Sequence, residues 1–245
     1  MVTRAEFRRQ LRAHQRPTRQ MRLRKGDPGC LPVTKLSGSP WWPASRPRPK
    51  CGLGHFMSFM AQVRLADVPG LEKRSELLAF HYCQQCADEG RMSFGCHDDG
   101  VQGYELTLLR ADEKKATDGL ETVAEVVIPP RRVALRKVLE VPGYEQTSIM
   151  FPDLPDDYPE GEDDLDERIY SRCKHVARSK LGGWPSWVQS PAPPDIQEGQ
   201  ALHFVAQLDW ELCEDAAWAG GGYAYLFLIT DKGGAAHGEL VVQTA

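Results

Sequence analysis

The sequence predicts an α+β chain that is mostly antiparallel β, built as two pseudo-symmetric β-rich halves from an internal duplication, with a few short helices. Three observations predict it. Short apolar runs of strand type recur along the chain, while stretches with helical period are scarce. Gly (22) and Pro (18) are raised and separate those runs with turns, which argues against a helix bundle. A loop-and-strand pattern also occurs twice, 145 residues apart.

Residues 3–15 predict a short helix, with Phe7 and Leu11 on one face and Pro17 as the stop. Met21 and Leu23 alternate with arginines, the pattern of a half-buried strand. Residues 25–32 (KGDPGCLP) are turn chemistry, and 40–50 (PWWPASRPRPK) are proline-broken loop. Strands are expected at 56–65, 77–82, 104–109, 123–128 and 133–141. Residues 141–162 read as an acidic, proline-spaced connector without period, and 165–176 as a helix. Strands at 201–210, 223–230 and 238–243 complete the chain. The expected organisation is one domain over 1–245. It comprises a basic helix and strand (1–32), a first half with a cysteine-rich insert (33–141), an acidic linker (142–164) and a second half (165–245).

The repeat is specific. TKLSGSPWW (34–42) matches SKLGGWPSW (179–187) at Lys35/Lys180, Leu36/Leu181, Gly38/Gly183, Pro40/Pro185 and Trp42/Trp187. At the same offset, without a gap, Phe59, Ala61 and Gln62 match Phe204, Ala206 and Gln207. The tryptophan is a large apolar anchor able to seal the loop on a sheet. The glutamine stands in an apolar strand, where a buried amide must be hydrogen-bonded. Gln62 and Gln207 therefore read either as structural glutamines or, with Trp42 and Trp187, as the lining of a groove for a polypeptide partner.

Composition bounds the function classes. With 41% hydrophobic and 26% charged residues the chain is neither disordered nor membrane-type. Its longest apolar run, 223–229, is far short of the ~20 residues of a spanning helix. Seven cysteines, an odd number, exclude a complete disulfide framework. No apolar secretory segment occurs in residues 1–30, so the expectation is a cytoplasmic protein with reduced thiols. The basic start lacks serine and holds Pro17, which argues against a transit peptide.

The net charge of −4 hides an asymmetry. Residues 1–26 carry nine bases against Glu6 alone, and 138–167 carry eleven acids and no base. The basic start reads as a solvated helix face or as a contact for nucleic acid or the ribosome.

Cys83-Gln84-Gln85-Cys86 is the sharpest chemical motif, because a C-x2-C turn points two thiolates at one ion. It is half a tetrahedral site. Cys51 with His55, or Cys96 with His97, are the candidates for the other half. The alternatives are metal-free thiols and a redox pair, but no thioredoxin-like helix pattern surrounds the motif. Cys30, Cys173 and Cys213 have no ligand spacing.

KLSGSPWW and KLGGWPSW, with FMAQVRL, FVAQLDW and the ending WAGGGYAYLF, resemble the YwqG-like family of bacterial proteins, a domain of unknown function. That family is distantly similar to the programmed cell death protein two family of eukaryotes. The similarity spans roughly residues 30–245, and the first copy departs in having Ser37 where the second has Gly182. The resemblance implies one fold of two β-rich halves, no established enzymatic activity, and the binding of another polypeptide in a chaperone-like or immunity-like role. It also implies a C-x2-C-G motif before the first repeat strand. Here Cys51-Gly52 fits the second cysteine of that motif, Arg48 stands in place of the first, and His55 replaces the missing ligand. The ligand set is then Cys51, His55, Cys83 and Cys86, with structural zinc as the cofactor.

No G-x-S-x-G, Walker, Rossmann or H-E-x-x-H motif occurs, and no catalytic residue is assigned. His81, within an apolar strand, reads as a satisfied core histidine. The expected function is non-enzymatic polypeptide binding, by strand addition at an exposed sheet edge. The alternatives are an enzyme between the halves using Cys83 or His81, and a ribosome- or RNA-associated factor using the basic start.

Overall fold

Strands dominate because apolar residues alternate or run in blocks of strand length between glycine and proline turns. The computed structural model describes residues 4–93, 101–113, 129–151, 176, 178–209 and 222–243. In chain order its elements are α1 (Arg4–Ala13), β1 (Arg16–Lys25), β2 (Lys35–Leu36) and β3 (Ser58–Arg64), then a 3-10 turn (Leu65–Asp67), β4 (Glu76–Tyr82), α2 (Gln84–Asp88), β5 (Met92–Ser93) and β6 (Val101–Gln102). After these come β7 (Tyr104–Arg110), β8 (Arg131–Glu140), α3 (Tyr144–Met150), β9 (Lys180–Gly182), β10 (Ala201–Asp209), β11 (Tyr223–Thr230) and β12 (Ala236–Gln243). The strand expected at 123–128, all but the last residue of the helix expected at 165–176, and most of the acidic linker lie outside the described residues.

Ten strands form one antiparallel sheet in the order β12-β11-β10-β9-β1-β8-β2-β3-β4-β7. A separate two-residue parallel pair joins β5 and β6. Read from either end, the large sheet has the same plan, with the two ten-residue strands at its centre. β1 pairs along its length with β8, from Arg16↔Glu140 to Lys25↔Arg131. Each long strand also pairs with a short one that is distant in sequence, β1 with β9 and β8 with β2. Pro17 is tolerated within β1 because β9 reaches only Thr18–Gln20. The sheet curls until its end strands meet. A Cβ added at Gly238 of β12 would lie 2.8 Å from the Leu106 Cβ of β7, so only glycine allows that approach.

One apolar core fills the inside of the curl and draws on both ends of the chain: Met21, Leu36, Met60, Leu78, Phe80, Leu181, Val205, Leu226 and Leu240. Two smaller tryptophan-bearing clusters sit elsewhere, one in each half of the sheet. Trp41 and Trp42 pack on Leu77, Ala79 and Leu109. Trp187 packs on Tyr225 and Phe227.

Local details recur at the offset of 145. Lys35 pairs with Gln62 and Leu36 with Ala61, as Lys180 pairs with Gln207 and Leu181 with Ala206. The Arg64 N–H donates to Thr34 Oγ1 (3.0 Å), and the Asp209 N–H to Ser179 Oγ (2.8 Å). The Trp41 N–H donates to Gln62 Oε1 (2.9 Å), and the Ser186 N–H to Gln207 Oε1 (2.8 Å). A bulge interrupts β3 between Phe59 and Ala61 and β10 between Phe204 and Ala206. Ser37, the departure noted in the first copy, adopts the same left-handed φ (55°) as Gly182 (63°).

Two expectations change. The segment after Val141 is not a featureless connector, since Gly143–Phe151 contains α3. Its last turn is fixed from outside by Phe151, which packs edge-on against Phe7 and His14 beside α1. Tertiary contact rather than periodicity decides that helix. The basic start is not one helix face either, because its second half is the central strand β1.

Glu140, at the end of β8, locks the second loop to the sheet. Its carboxylate accepts from the Trp184 N–H (2.7 Å), the Val176 N–H (3.3 Å) and Lys180 Nζ (3.0 Å). Both members of the Lys180–Glu140 ion pair have fully buried side chains. Gly183 lies so close that any Cβ there would strike the Glu140 carboxylate. Burial pushes the Glu140 carboxyl up and the Lys180 ammonium down to about 8, while the attraction between them opposes both shifts. Lys35, the counterpart in the first loop, donates to the carbonyls of Gly29 and Ser39 instead. Replacing Lys180 by Met leaves the Glu140 charge buried without its cation and is expected to cost about 3–5 kcal/mol of stability in urea unfolding. A loss under about 1 kcal/mol would show that the backbone donors alone satisfy Glu140.

Candidate metal centre

Two chain segments make the centre, and the sheet brings them together. β3 and β4 are antiparallel with Ser58 opposite Tyr82, so the residues just outside that pair, Met57 and Cys83, meet at one end. Before β3, residues 51–55 (CGLGH) fold into a tight turn. The Gly54 N–H donates to the Cys51 carbonyl (2.8 Å), and the Cys51 N–H to the His55 carbonyl (2.9 Å). That reversal puts the Cys51 and His55 side chains on one side. After β4, Cys83 holds the N-cap position of α2 without a side-chain cap bond and Cys86 falls in the first turn, so the C-x2-C pair faces the turn at 51–55.

The ligand atoms of Cys51, His55, Cys83 and Cys86 all lie within 4.8 Å of one another. Cys86 Sγ is 3.5 Å from Cys51 Sγ and 3.5 Å from His55 Nδ1, and Cys83 Sγ is 3.9 Å from His55 Nδ1. A tetrahedron with zinc–sulfur bonds of about 2.3 Å has edges of about 3.8 Å. The four groups therefore fit a tetrahedral ion with little rearrangement. All three cysteines are buried and pack with Met57. Cys96 and His97, the other candidate half-site, lie outside the described residues, as do Cys173 and Cys213.

The C-x2-C pair does sit at a helix N-terminus, contrary to expectation, but the thiols are not activated. Burial raises the Cys83 thiol, and it pushes Cys86 up to about 12 with help from the neighbouring sulfurs. At Cys51 burial also raises, but hydrogen bonds from the Leu53 backbone and the Cys86 thiol outweigh it, and the net shift is downward. A dithiol working by exchange has a lowered attacking thiol at the helix start. Of these three thiols the lowered one, Cys51, is in the opposing turn, which suits a shared ion better than a redox pair.

Trp42, Gln62, Trp187 and Gln207, the residues expected to line a partner groove, all lie inside the fold. Each is 7% exposed or less. Gln62 uses its amide on its own loop, donating to the carbonyls of Leu31 (3.1 Å) and Val33 (2.8 Å). Trp42 Nε1 donates to the Arg46 carbonyl (3.1 Å), and Trp187 Nε1 to Gln146 Oε1 (3.2 Å). Pairwise, these four hold the loops against the sheet.

Glu140 carries a role that the sequence pattern does not announce, apart from the anomaly of an acid flanked by Leu139 and Val141 at a strand end. The matched lysines, Lys35 and Lys180, likewise gain their buried roles only in the folded chain.

His81 is buried as expected, but among the described residues its Nδ1 has no hydrogen-bond partner. The ring packs edge-on against Trp42 and tilted against Phe59. The bulge registers place His81 opposite Phe59 and Phe227 opposite Phe204, so Phe227 holds the corresponding position in the other half.

A family model described as a domain of unknown function (DUF1963) matches residues 34–235. No protein of curated function matches the chain.

Burial, with a smaller contribution from Arg48, lowers the His81 pKa from 6.5 to about 3. The unfolded chain thus takes up a proton that the folded one refuses. Stability from this group is complete above about pH 6.5 and is lost as pH falls towards about 3. Replacement of His81 by Phe should reduce the acid slope of the unfolding free energy by up to about 1.4 kcal/mol per pH unit in that window. An unchanged acid midpoint in this variant would show that another group sets the slope.

Proposed function

We propose, for a chain that belongs to the DUF1963 family of domains of unknown function, a non-enzymatic role: a zinc-clipped β domain that binds another polypeptide. The observation that carries this reading is the closed Cys51–His55–Cys83–Cys86 cluster beneath a turn that presents apolar side chains to solvent. Four protein ligands fill a tetrahedron and leave no open position for a substrate, which is the pattern of a structural rather than a catalytic zinc site. On the turn above it, Leu53 is 44% and Phe56 47% exposed, with Lys50 and Arg48 over the Phe56 ring. A metal-held turn offering a leucine and an aromatic ring, with cations beside them, supplies a pre-ordered anchor for a partner chain.

Strand addition at a sheet edge is a less suitable mechanism, since the two end strands β7 and β12 lie against each other. The enzyme alternative is disfavoured by position, because the Cys83 and His81 side chains are sealed from solvent.

The two halves are read as products of one duplication. The matched registers, bulges and loop hydrogen bonds at an offset of 145, and the sheet order that is the same from both ends, support that reading. Similarity of the repeated loops to the YwqG-like proteins, and distantly to the programmed cell death protein two family, supports polypeptide binding. Among the described residues no helix is long and apolar enough to cross a membrane, which is compatible with the proposed cytoplasmic location.

Protein purified without chelators should carry one zinc per chain by elemental analysis, and Cys83→Ser or Cys86→Ser should lose it while Cys30→Ser keeps it. Stripping the metal should lower the melting temperature markedly, since structural zinc contributes on the order of 10 kcal/mol to small metal-dependent folds. Zinc-free protein with all described thiols freely titratable and unchanged melting would sink the clip. For the binding role, a polypeptide that co-purifies in stoichiometric amount should be lost from the Leu53→Ala/Phe56→Ala variant with zinc content and melting intact. Retention of that polypeptide would remove the turn as the anchor. A small-molecule turnover abolished by Cys83→Ser in a folded protein would favour the enzyme.

A further inference from the structure

The pairing of β1 with β8 has a second outcome, on the face turned away from the core. Met21, Leu23, Val133 and Leu135 contact the core. Alternation therefore places Gln20, Arg22, Arg24, Arg132, Ala134 and Arg136 together on the opposite face. All four arginines are exposed, and among the described residues none has an ion-pair partner. Arg24 stands directly opposite Arg132. Like charges at directly opposed positions destabilise an antiparallel pair, a cost that no ion pair offsets among the described residues. Two of these arginines come from the basic start and two from a strand more than a hundred residues later, so the patch exists only in the assembled sheet.

We propose that this face of β1 and β8 binds the sugar-phosphate backbone of a nucleic-acid duplex. The cations are all guanidinium groups, whose planar fork matches phosphate oxygens in paired hydrogen bonds. Arg22 and Arg24 stand about 6.8 Å apart along β1 and Arg132 and Arg136 about 13.6 Å apart along β8, and Arg24 faces Arg132 about 4.8 Å across the pair. The face holds no aromatic side chain among its six positions, so it offers nothing on which unpaired bases would stack. Backbone contact without base reading is the mode that remains, and it is indifferent to sequence. The chain's net charge is −4, so the attraction is local to this face. This site lies apart from the metal turn and stands independently of the polypeptide-binding role.

The test is fluorescence anisotropy of a labelled DNA duplex of about 20 base pairs, titrated with the intact protein across a range of salt. Four phosphate contacts give a slope of log K against log salt of about −3.6. Arg24→Gln/Arg132→Gln should reduce that slope by about 1.8 and leave the melting temperature equal or higher. Arg22→Gln/Arg136→Gln is the second variant and should reduce it equally. No binding at low salt, a flat salt response, or a slope in both double variants unchanged from that of the unmodified protein would overturn the proposal. So would displacement of the duplex by poly-glutamate at equal charge concentration, which would assign the face to an acidic polypeptide.

Discussion

The ladder between β1 and β8 is the constraint on which the rest of the fold depends. Each strand spends one edge on the other and the opposite edge on a short strand far away in sequence. If either long strand were displaced, β2 and β9 would lose a partner, and with them the loops that carry the tryptophans. The exchange also explains why one core fills the interior rather than two. Met21 and Leu23 from β1, and Val133 and Leu135 from β8, pack beside residues from both ends of the sheet. The close approach at Gly238 then lays the two end strands of the sheet against each other, although they do not pair.

The two loops solve the same packing problem with different electrostatics. In both, a lysine is buried at the start of a short strand and a glutamine opposite it fixes the loop backbone. In the first loop the lysine is met by carbonyls, whereas in the second it meets a carboxylate that also holds two backbone N–H groups. The second arrangement is the more rigid and the more fragile, because removal of either charge strands the other in a dry interior. The difference continues behind the tryptophans, where the first half has His81 and the second Phe227. An imidazole kept neutral by burial ties the first half to pH in a way that a phenyl ring cannot.

The metal turn depends on the sheet in a simpler way. Register places Ser58 against Tyr82, and the chain on either side of that pair can only meet there. Three sulfurs and one imidazole nitrogen are then brought within bonding reach of one ion. The thiol shifts follow from burial and from mutual proximity, two features that a cation would relieve together.

The amino-acid sequence by itself determined the strand-rich class, the positions of most strands, the repeated loops and the C-x2-C half of the metal centre. These are legible because each is local or self-similar. Alternation of Met21 and Leu23 marks a strand, C-x2-C fixes a ligand spacing, and KLSGSPWW can be compared directly with KLGGWPSW. Tertiary structure decided what depends on non-local partners. It gave Glu140 its role, since nothing near a single acid in sequence announces a lysine forty residues later. It turned Trp42, Gln62, Trp187 and Gln207 inward, because burial is a property of the closed sheet rather than of residue type. It formed α3 on Phe7 and His14, where local propensity alone is too weak to nucleate a helix. It also set Arg24 opposite Arg132, since register between strands is fixed by the core that both must cover.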